Sequence, residues 1–470
     1  MKADKNFESR VLDSRRALCL GAGAALLLSL IGDGALSLVK RRKASRRKST
    51  KKSKKSSKGA VPRQVSSGPI SGESLYRDVI AYYNIGEHRT ATEADLKTSE
   101  WLASELRATG LQTAYQRFKL RQFFPRETKL SLPGTSVRAF PLWPPRATDL
   151  PVRASMVRFS KETGPRALNG AIALVRFPYD PRASVSSDSV YAAIIDAASK
   201  SGAAAVVAVT EGPADEITAL NVEPNASPWP VPVVLVAPRD SSIIDACAKS
   251  GAQVSLILAG KDELQAEAKN VIGRLPRGEK LIVVSTPQSG WFRCAAERGP
   301  GVALFLGLAR WASRRTAGPG FLFLSTSGHE LGGLGMRAFQ QELAPKPDGV
   351  LCWLHLGAGI AAFAWEDTAN GPRRLREADS GRLLMASPNL IPIIKETFAL
   401  TGLTPTSARA VGELDIVLKA GYRTFGIAAR HRFHHTPADS PEMTGPEILE
   451  PVASALVRTL EAIESGANSR

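Results

Sequence analysis

His329 and Glu330 follow four apolar residues, 321–324, and precede Gly332, Gly333 and Gly335. The stretch reads as a buried strand, a tight turn and a helix, with an imidazole and a carboxylate at the strand's C-terminal end. In open α/β sheets that is where ligands bind. His355 stands just past another apolar run, and His431, His434 and His435 past a third. If the three strand ends are neighbours, these side chains share one pocket. Glu297, Glu330, His355 and His435 then form a set of oxygen and nitrogen donors that suits zinc or another first-row divalent ion. An ion held in this way polarises a carbonyl and lowers the pKa of a water to about 7, which is metal-assisted hydrolysis. His329-Glu330 is not a zincin pair, because the fifth position counted from His329 is Gly333 and not a second His. A Gly-x-Ser-x-Gly elbow is missing too; Ser327 near His329 and Asp439 near His435 leave a serine hydrolase as the lesser alternative.

The elements that must position these residues alternate between strand and helix. A helical pattern starts at Glu73, runs through Leu75, Val79, Trp101 and Leu106, and closes at Gly110. Residues 111–118 alternate like a strand, and the Pro- and Arg-rich residues 131–150 mark a boundary. Short β-rich runs follow at 171–177, 203–210, 231–237 and 254–259, with helical patterns at 190–200 and 242–249 between them. This α/β unit holds no catalytic cluster and reads as a binding or shielding module. Strands resume at 270–272 and 281–285, a helix at 301–313, and strands at 321–324, 350–354 and 424–429. Two α/β bodies are thus interleaved, and the second carries the His/Glu cluster.

The chain has 470 residues and a net charge of +18, but residues 40–58 contribute twelve Lys/Arg and no acid, leaving about +6 for the remainder. The basicity belongs to a tail, so a nucleic-acid-binding body is not expected. Residues 17–39 are mainly Leu, Ala, Gly and Ser with one charge, Asp33, and at 1.5 Å per residue reach roughly 34 Å. That is enough for one uncleaved membrane-spanning helix. The positive charges after it place the body in the cytoplasm, whereas Arg15-Arg16 before it resembles a twin-arginine export signal. The basic stretch reads as a solvated spacer, or as a contact for anionic lipid or a polyanionic wall. Cys19, Cys247, Cys294 and Cys352 show no CxxC spacing, so neither a disulfide framework nor a zinc ribbon is expected.

Four stretches in this order carry a resemblance: Asn270-Val271-Ile272-Gly273, Gly301-Val302-Ala303-Leu304, Gly328-His329-Glu330-Leu331-Gly332-Gly333-Leu334-Gly335 and His435-Thr436-Pro437-Ala438-Asp439. They resemble the di-zinc aminopeptidase and glutamate carboxypeptidase-like exopeptidase family, peptidase family M28. Residues 131–261 resemble the protease-associated domain that members often carry as an insert. The resemblance implies an α/β fold: a zinc-exopeptidase-like mixed sheet flanked by helices, with a smaller α/β insert behind an N-terminal membrane helix. The segments are then a flank at 1–16, the anchor at 17–39, a basic linker at 40–72, peptidase-like parts at 73–130 and 262–466, and the insert at 131–261. It also favours an extracytoplasmic body.

Residue by residue, the resemblance puts the family's last metal ligand on His435, its metal-binding glutamate on Glu330 and its bridging aspartate on Glu297. The departures are substantial. Thr286-Pro287-Gln288 stands where the family has its first His-x-Asp pair, His329 where it has the catalytic glutamate, and His355 where it has the remaining metal aspartate. Two readings follow. In one, a single zinc or other divalent ion is held by Glu297, Glu330 and His435, helped by His355, and His329 is the general base; an imidazole near pKa 6.5 suits that role. The substrate is a peptide or an N-blocked amino acid, and Trp291 and Phe292 either line its pocket or pack the core. In the other, the site is degenerate and the chain is a binding or scaffold protein. Glu413 and Asp415 read as a solvated loop, with support of His435 as the alternative. His431 and His434 read as exposed or supporting, and His88-Arg89 as structural.

Overall fold

Residues 70–160, 168–407 and 410–468 are described by the structure, a computed structural model. The apolar segment 17–39 and the basic tail lie outside them, and among the described residues no helix is long and apolar enough to cross a membrane. The first helical pattern is divided into α1 (Gly72–Ile85) and α2 (Glu93–Ala108). Gly86, at φ 134°, breaks it, and the Thr92 hydroxyl restarts it by accepting the amide of Asp95. His88 in the link is buried, stacked on Tyr82 at 3.8 Å, with Nδ1 2.9 Å from Thr98 Oγ1.

β1 (Gln112–Leu132) is a 21-residue strand, much longer than the alternation at 111–118 predicts. After it come β2 (Val152–Arg158), β3 (Ile172–Phe177), α3 (Val190–Lys200), β4 (Ala205–Thr210), β5 (Val233–Val236) and α4 (Ser241–Ser250). β6 (Gln253–Leu275) then returns antiparallel to β1 along nearly its whole length. The runs at 254–259 and 270–272 are therefore one strand. Its middle is largely exposed, and an antiparallel ribbon open to water needs backbone pairing but no apolar run. Residues 131–150 hold short edge pairings and are joined to the rest by this ribbon, with no linker between.

The second half supplies β7 (Leu281–Pro287), α5 (Gly299–Ser313), β8 (Gly320–Thr326), α6 (Leu334–Glu342), β9 (Val350–Leu356), β10 (Leu383–Ala386), α7 (Glu413–Lys419), β11 (Thr424–Ala428) and α8 (Pro446–Asn468). All the strands named belong to one 14-stranded sheet, in the order β10-β11-β9-β7-β8-β6-β2-β3-β4-β5, with β1 paired to β6. β7 runs parallel to β8 and β9, and β9 parallel to β11. The C-terminal ends of four neighbouring strands thus meet at one edge, as the spacing of the histidines requires. β7, β8 and β9 are buried almost throughout, as expected of parallel strands covered on both faces. α5 lies hard against them: a Cβ on Gly301 would sit 2.8 Å from Thr286 Oγ1, so only glycine fits. α7 and α8 have no counterpart in the pattern read from the sequence.

Burial pushes the His88 imidazole down to about 3. The folded chain therefore resists a proton that the unfolded chain accepts below pH 6.5, so this contribution is whole above pH 6.5 and drains away as pH falls towards 3. In urea unfolding, the wild type is expected to lose about 2 kcal/mol between pH 7 and pH 5 relative to His88→Phe, which keeps an aromatic ring on Tyr82 and cannot titrate.

Candidate active site

Glu297 and Glu330 arrive from different elements. Glu297 lies just before α5, and Glu330 sits in a single 3-10 turn, His329–Leu331, between β8 and α6. Gly328, Gly332 and Gly333 flank that turn at φ 83°, 81° and 71°, a conformation glycine adopts without steric cost. The turn is thus a separate piece and not the opening of α6. Both carboxylates are buried, and the Arg298 guanidinium, 1% exposed, lies between them. Its Nη2 donates to Glu330 Oε1 at 2.7 Å and stands 3.2 Å from Glu297 Oε1, while Nε donates to Ser289 O at 2.9 Å. The Ser289 hydroxyl donates to Glu330 Oε2 at 2.7 Å and accepts the amides of Gly328 and His329. Both Glu330 oxygens are in use.

The loop after β11 brings in three imidazoles. His435 is clamped to Ala219: its Nδ1 is 3.0 Å from Ala219 O, and its own carbonyl accepts the Ala219 amide at 2.9 Å. A carbonyl only accepts, so Nδ1 carries a proton, and Nε2 stands 3.3 Å from Glu297 Oε1. Neither atom finds a hydrogen-bond partner among the described residues. Burial raises the Glu297 carboxyl, but His435 and Arg298 outweigh it and hold the acid well below the usual range. His434 stacks on His435 at 4.0 Å; part of its ring stays accessible, yet its Nδ1 is buried and unpartnered among the described residues. Burial, with His435 beside it, keeps His434 far below its ordinary pKa, hence neutral. His431 is pushed down to about 4 by burial and approaches Asp439 Oδ2 at 3.7 Å. Asp439 accepts the amides of Ala296 and Glu297, each at 2.9 Å, which ties the start of α5 to the histidine loop.

A second cluster lies at the ends of β8 and β9. His329 Nδ1 meets Glu413 Oε1 at 3.2 Å, and Glu413 Oε2 accepts the Thr326 hydroxyl at 2.8 Å. Glu413 is 1% exposed on the first turn of α7, so it is neither a solvated loop residue nor a partner of His435. Burial raises its carboxyl, but the His329 hydrogen bond and charge outweigh it and keep it ionised. Its sequence signal was slight: a lone acid beside Gly412. Asp415, by contrast, is exposed and pairs with Lys419. His355 Nδ1 meets Ser285 Oγ at 2.9 Å, and that oxygen also accepts Trp353 Nε1 at 2.7 Å. His355 Nδ1 is thus engaged by Ser285, which leaves Nε2 as the ring's other nitrogen. Burial lowers His355 to about 4. Ser327 donates to Asp95 at 2.7 Å, so it is not held by an imidazole and the serine-hydrolase alternative finds no dyad there. Trp291 and Phe292, each 3% exposed, pack with Phe140 and Trp143.

No family model matches the sequence, and no curated protein matches it. Solved structures do share its fold. A zinc aminopeptidase from Bacillus subtilis superposes with a TM-score of 0.65 at 17% identity, over 83% of this chain and 95% of that one. The fold is that of the M28 zinc aminopeptidases. A Peptidase M28 precursor from Shewanella amazonensis SB2B (TM-score 0.64, 16% identity, 84% and 96% covered) and an aminopeptidase from Aneurinibacillus sp. strain AM-1 (0.58, 16%, 83% and 93%) share it.

Within this fold two donor sets come into question for a metal. Glu297, Glu330 and His435 do not fit one as they stand, because Arg298 and Ser289 already hold Glu330. Glu297, His434 and His435 fit: their ligand atoms lie within 4.8 Å of one another, and one carboxylate with two imidazoles is a donor set zinc accepts with a position left open. His434 is the member that sequence reasoning set aside; its signal was adjacency to His435. The site also depends on Asp439. In Asp439→Ala two buried amides lose their acceptor, and a stability loss of about 3 kcal/mol is expected in chemical denaturation.

Proposed function

We propose that the chain is a metal-dependent hydrolase of peptide or amide bonds, acting with a single divalent ion, zinc in the first instance, held by Glu297, His434 and His435. The observation that carries this reading is that Glu297, His434 and His435 offer ligand atoms within 4.8 Å of one another, and that each of the three has a buried atom (Glu297 Oε1, His434 Nδ1, His435 Nε2) with no hydrogen-bond partner among the described residues. Unpaired lone pairs are costly to bury and are the arrangement a cation completes. A bound ion supplies polarisation of an amide carbonyl and acidification of water. Glu413 fixes the His329 proton on Nδ1, which leaves Nε2 as the base on a ring whose side chain is 16% exposed. The similar fold of the aminopeptidases supports peptides or N-blocked amino acids as substrates. Residues 17–39 anchor the protein in a membrane with the body on the extracytoplasmic side, and the basic linker contacts anionic lipid or wall polymer.

A second reading, a catalytically silent peptidase-fold protein that binds a peptide or a protein partner, is favoured by Arg298, which neutralises a carboxylate of the family's ligand set from within.

Elemental analysis separates the two. About one equivalent of zinc is expected in the purified wild type and none in Glu297→Ala or His435→Ala. A folded wild type free of zinc, manganese and cobalt leaves only the silent protein. In a peptide screen, His329→Ala is expected to lower kcat by about 10²-fold or more while metal content stays unchanged, and Glu413→Gln to lower it less.

A further inference from the structure

We infer that Arg89, with Thr90 at its inner side, forms a carboxylate-binding subsite beside His329, and that the substrate is accordingly a dipeptide or N-blocked amino acid with a free C-terminal carboxylate. The substrate class rests on the hydrolase reading above; the subsite does not.

The link between α1 and α2 is stitched to the loop after β7: the His88 amide donates to Phe292 O at 3.0 Å, and His88 O accepts the Gly290 amide at 2.9 Å. Arg89 and Thr90 thereby line a narrow crevice whose other walls include Gln122, Trp291, Glu330 and Leu331. Glu330 and Leu331 belong to the turn that carries His329. A group held there is a neighbour of the general base.

The other polar side chains of this wall are already engaged. Gln122 Nε2 donates to Thr90 O at 2.7 Å, and its Oε1 accepts the Trp143 indole at 2.7 Å. Trp291 Nε1 donates to Asn221 at 2.9 Å, and Glu330 is held by Arg298 and Ser289. Arg89 and Thr90 are the exceptions. The Arg89 guanidinium makes no ion pair and no hydrogen bond among the described residues; its Nε is buried, whereas its two terminal nitrogens are not. The Thr90 hydroxyl is buried and equally unpartnered, in a residue 2% exposed. An arginine kept for structure pairs with an acid or with backbone carbonyls. This one lies over the Trp143 ring, 5.3 Å from its centroid, which holds the fork without using its donors.

A guanidinium has donors only, so its missing partner is an acceptor, and its charge makes that acceptor an anion. Burial lowers the Arg89 pKa against the pull of Glu87, yet the group stays charged near neutrality. One positive charge without a counter-ion matches one carboxylate, whose two oxygens take two parallel N–H bonds from the fork. The crevice is too narrow for a whole side chain, so the carboxylate meets the terminal nitrogens at its mouth. That position suits the α-carboxylate of the residue just beyond the bond His329 serves.

The test reads binding, so it holds whether or not the chain cleaves anything. 3-Phenylpropionate, a carboxylate with no amide bond, and its neutral counterpart 3-phenylpropanol are titrated by calorimetry into full-length wild type, Arg89→Met and Arg89→Lys, with Tm as the check on folding. The wild type is expected to prefer the acid by about tenfold or more. Arg89→Met, which keeps a stem against Trp143, is expected to lose that preference to within about twofold, and Arg89→Lys, which keeps the charge without the fork, to lose about threefold of it. Acetate is expected to bind the wild type about tenfold more weakly than 3-phenylpropionate. A wild type without preference for the acid overturns the inference. So does an Arg89→Met chain that keeps the preference, since the carboxylate is then held elsewhere; if that variant does not fold, an undiminished preference in Arg89→Lys overturns it in the same way. Acetate bound as tightly as 3-phenylpropionate makes this a site for free anions and overturns the assignment to substrate. In turnover, kcat/KM for a dipeptide is expected to exceed that for its C-terminal amide by about tenfold in the wild type and by less than about twofold in Arg89→Met; equal values in the wild type overturn the substrate class. Binding that follows these expectations without cleavage of any amide bond leaves the subsite standing, and the hydrolase reading falls.

Discussion

Charge buried at the end of a parallel sheet must be matched where it lies, and that constraint shapes this protein's central edge. Three carboxylates, Glu297, Glu330 and Glu413, are all but inaccessible. Glu413 is matched by His329 and the Thr326 hydroxyl. Glu330 is matched by Arg298 and Ser289. Glu297 shares the same guanidinium and faces His435, and one charge remains over. Because water does not reach these groups, each partner holds a loop in place as well as a charge. Ser289 alone joins the loop after β7 to the turn after β8 through three hydrogen bonds.

The two clusters that result differ in character. Around His329 and Glu413 a carboxylate orients a partly accessible imidazole, an arrangement suited to moving a proton. Around Glu297, His434 and His435 unpartnered lone pairs face one another, an arrangement suited to a cation. Arg298 and Glu330 form a buried ion pair beside them.

The region between β1 and β6 is part of the site as well. Ala219 fixes which nitrogen of His435 carries the proton, and the Trp291 indole donates to Asn221 at 2.9 Å. Pro224 packs so closely on Gly332 that a Cβ there would lie 2.4 Å from it. A region free of catalytic residue types, read from the sequence as a binding or shielding module, thus puts a proton on Nδ1 of His435 through one carbonyl.

The alternation of apolar runs and glycines was sufficient for the α/β class, and histidines placed after such runs were sufficient to predict a shared edge. Periodicity and composition are local properties, and they survive in a single sequence. The long ribbon of β1 and β6 escaped because its exposed middle is held by backbone pairing, which leaves no apolar pattern. α7 escaped because seven residues carry too little periodicity. Glu297, Glu330, His329, His355 and His435 were singled out by type and spacing. Which of them are free was another matter: Glu330 was already bound to Arg298, His355 to Ser285, and His329 to Glu413. The sequence by itself determined the fold class and the edge at which chemistry gathers, because both follow from which residues lie near one another along the chain. Only the tertiary structure decided which lone pairs remain open, because that depends on partners such as Arg298, Ser285, Ala219 and Glu413, brought within about 3 Å by packing.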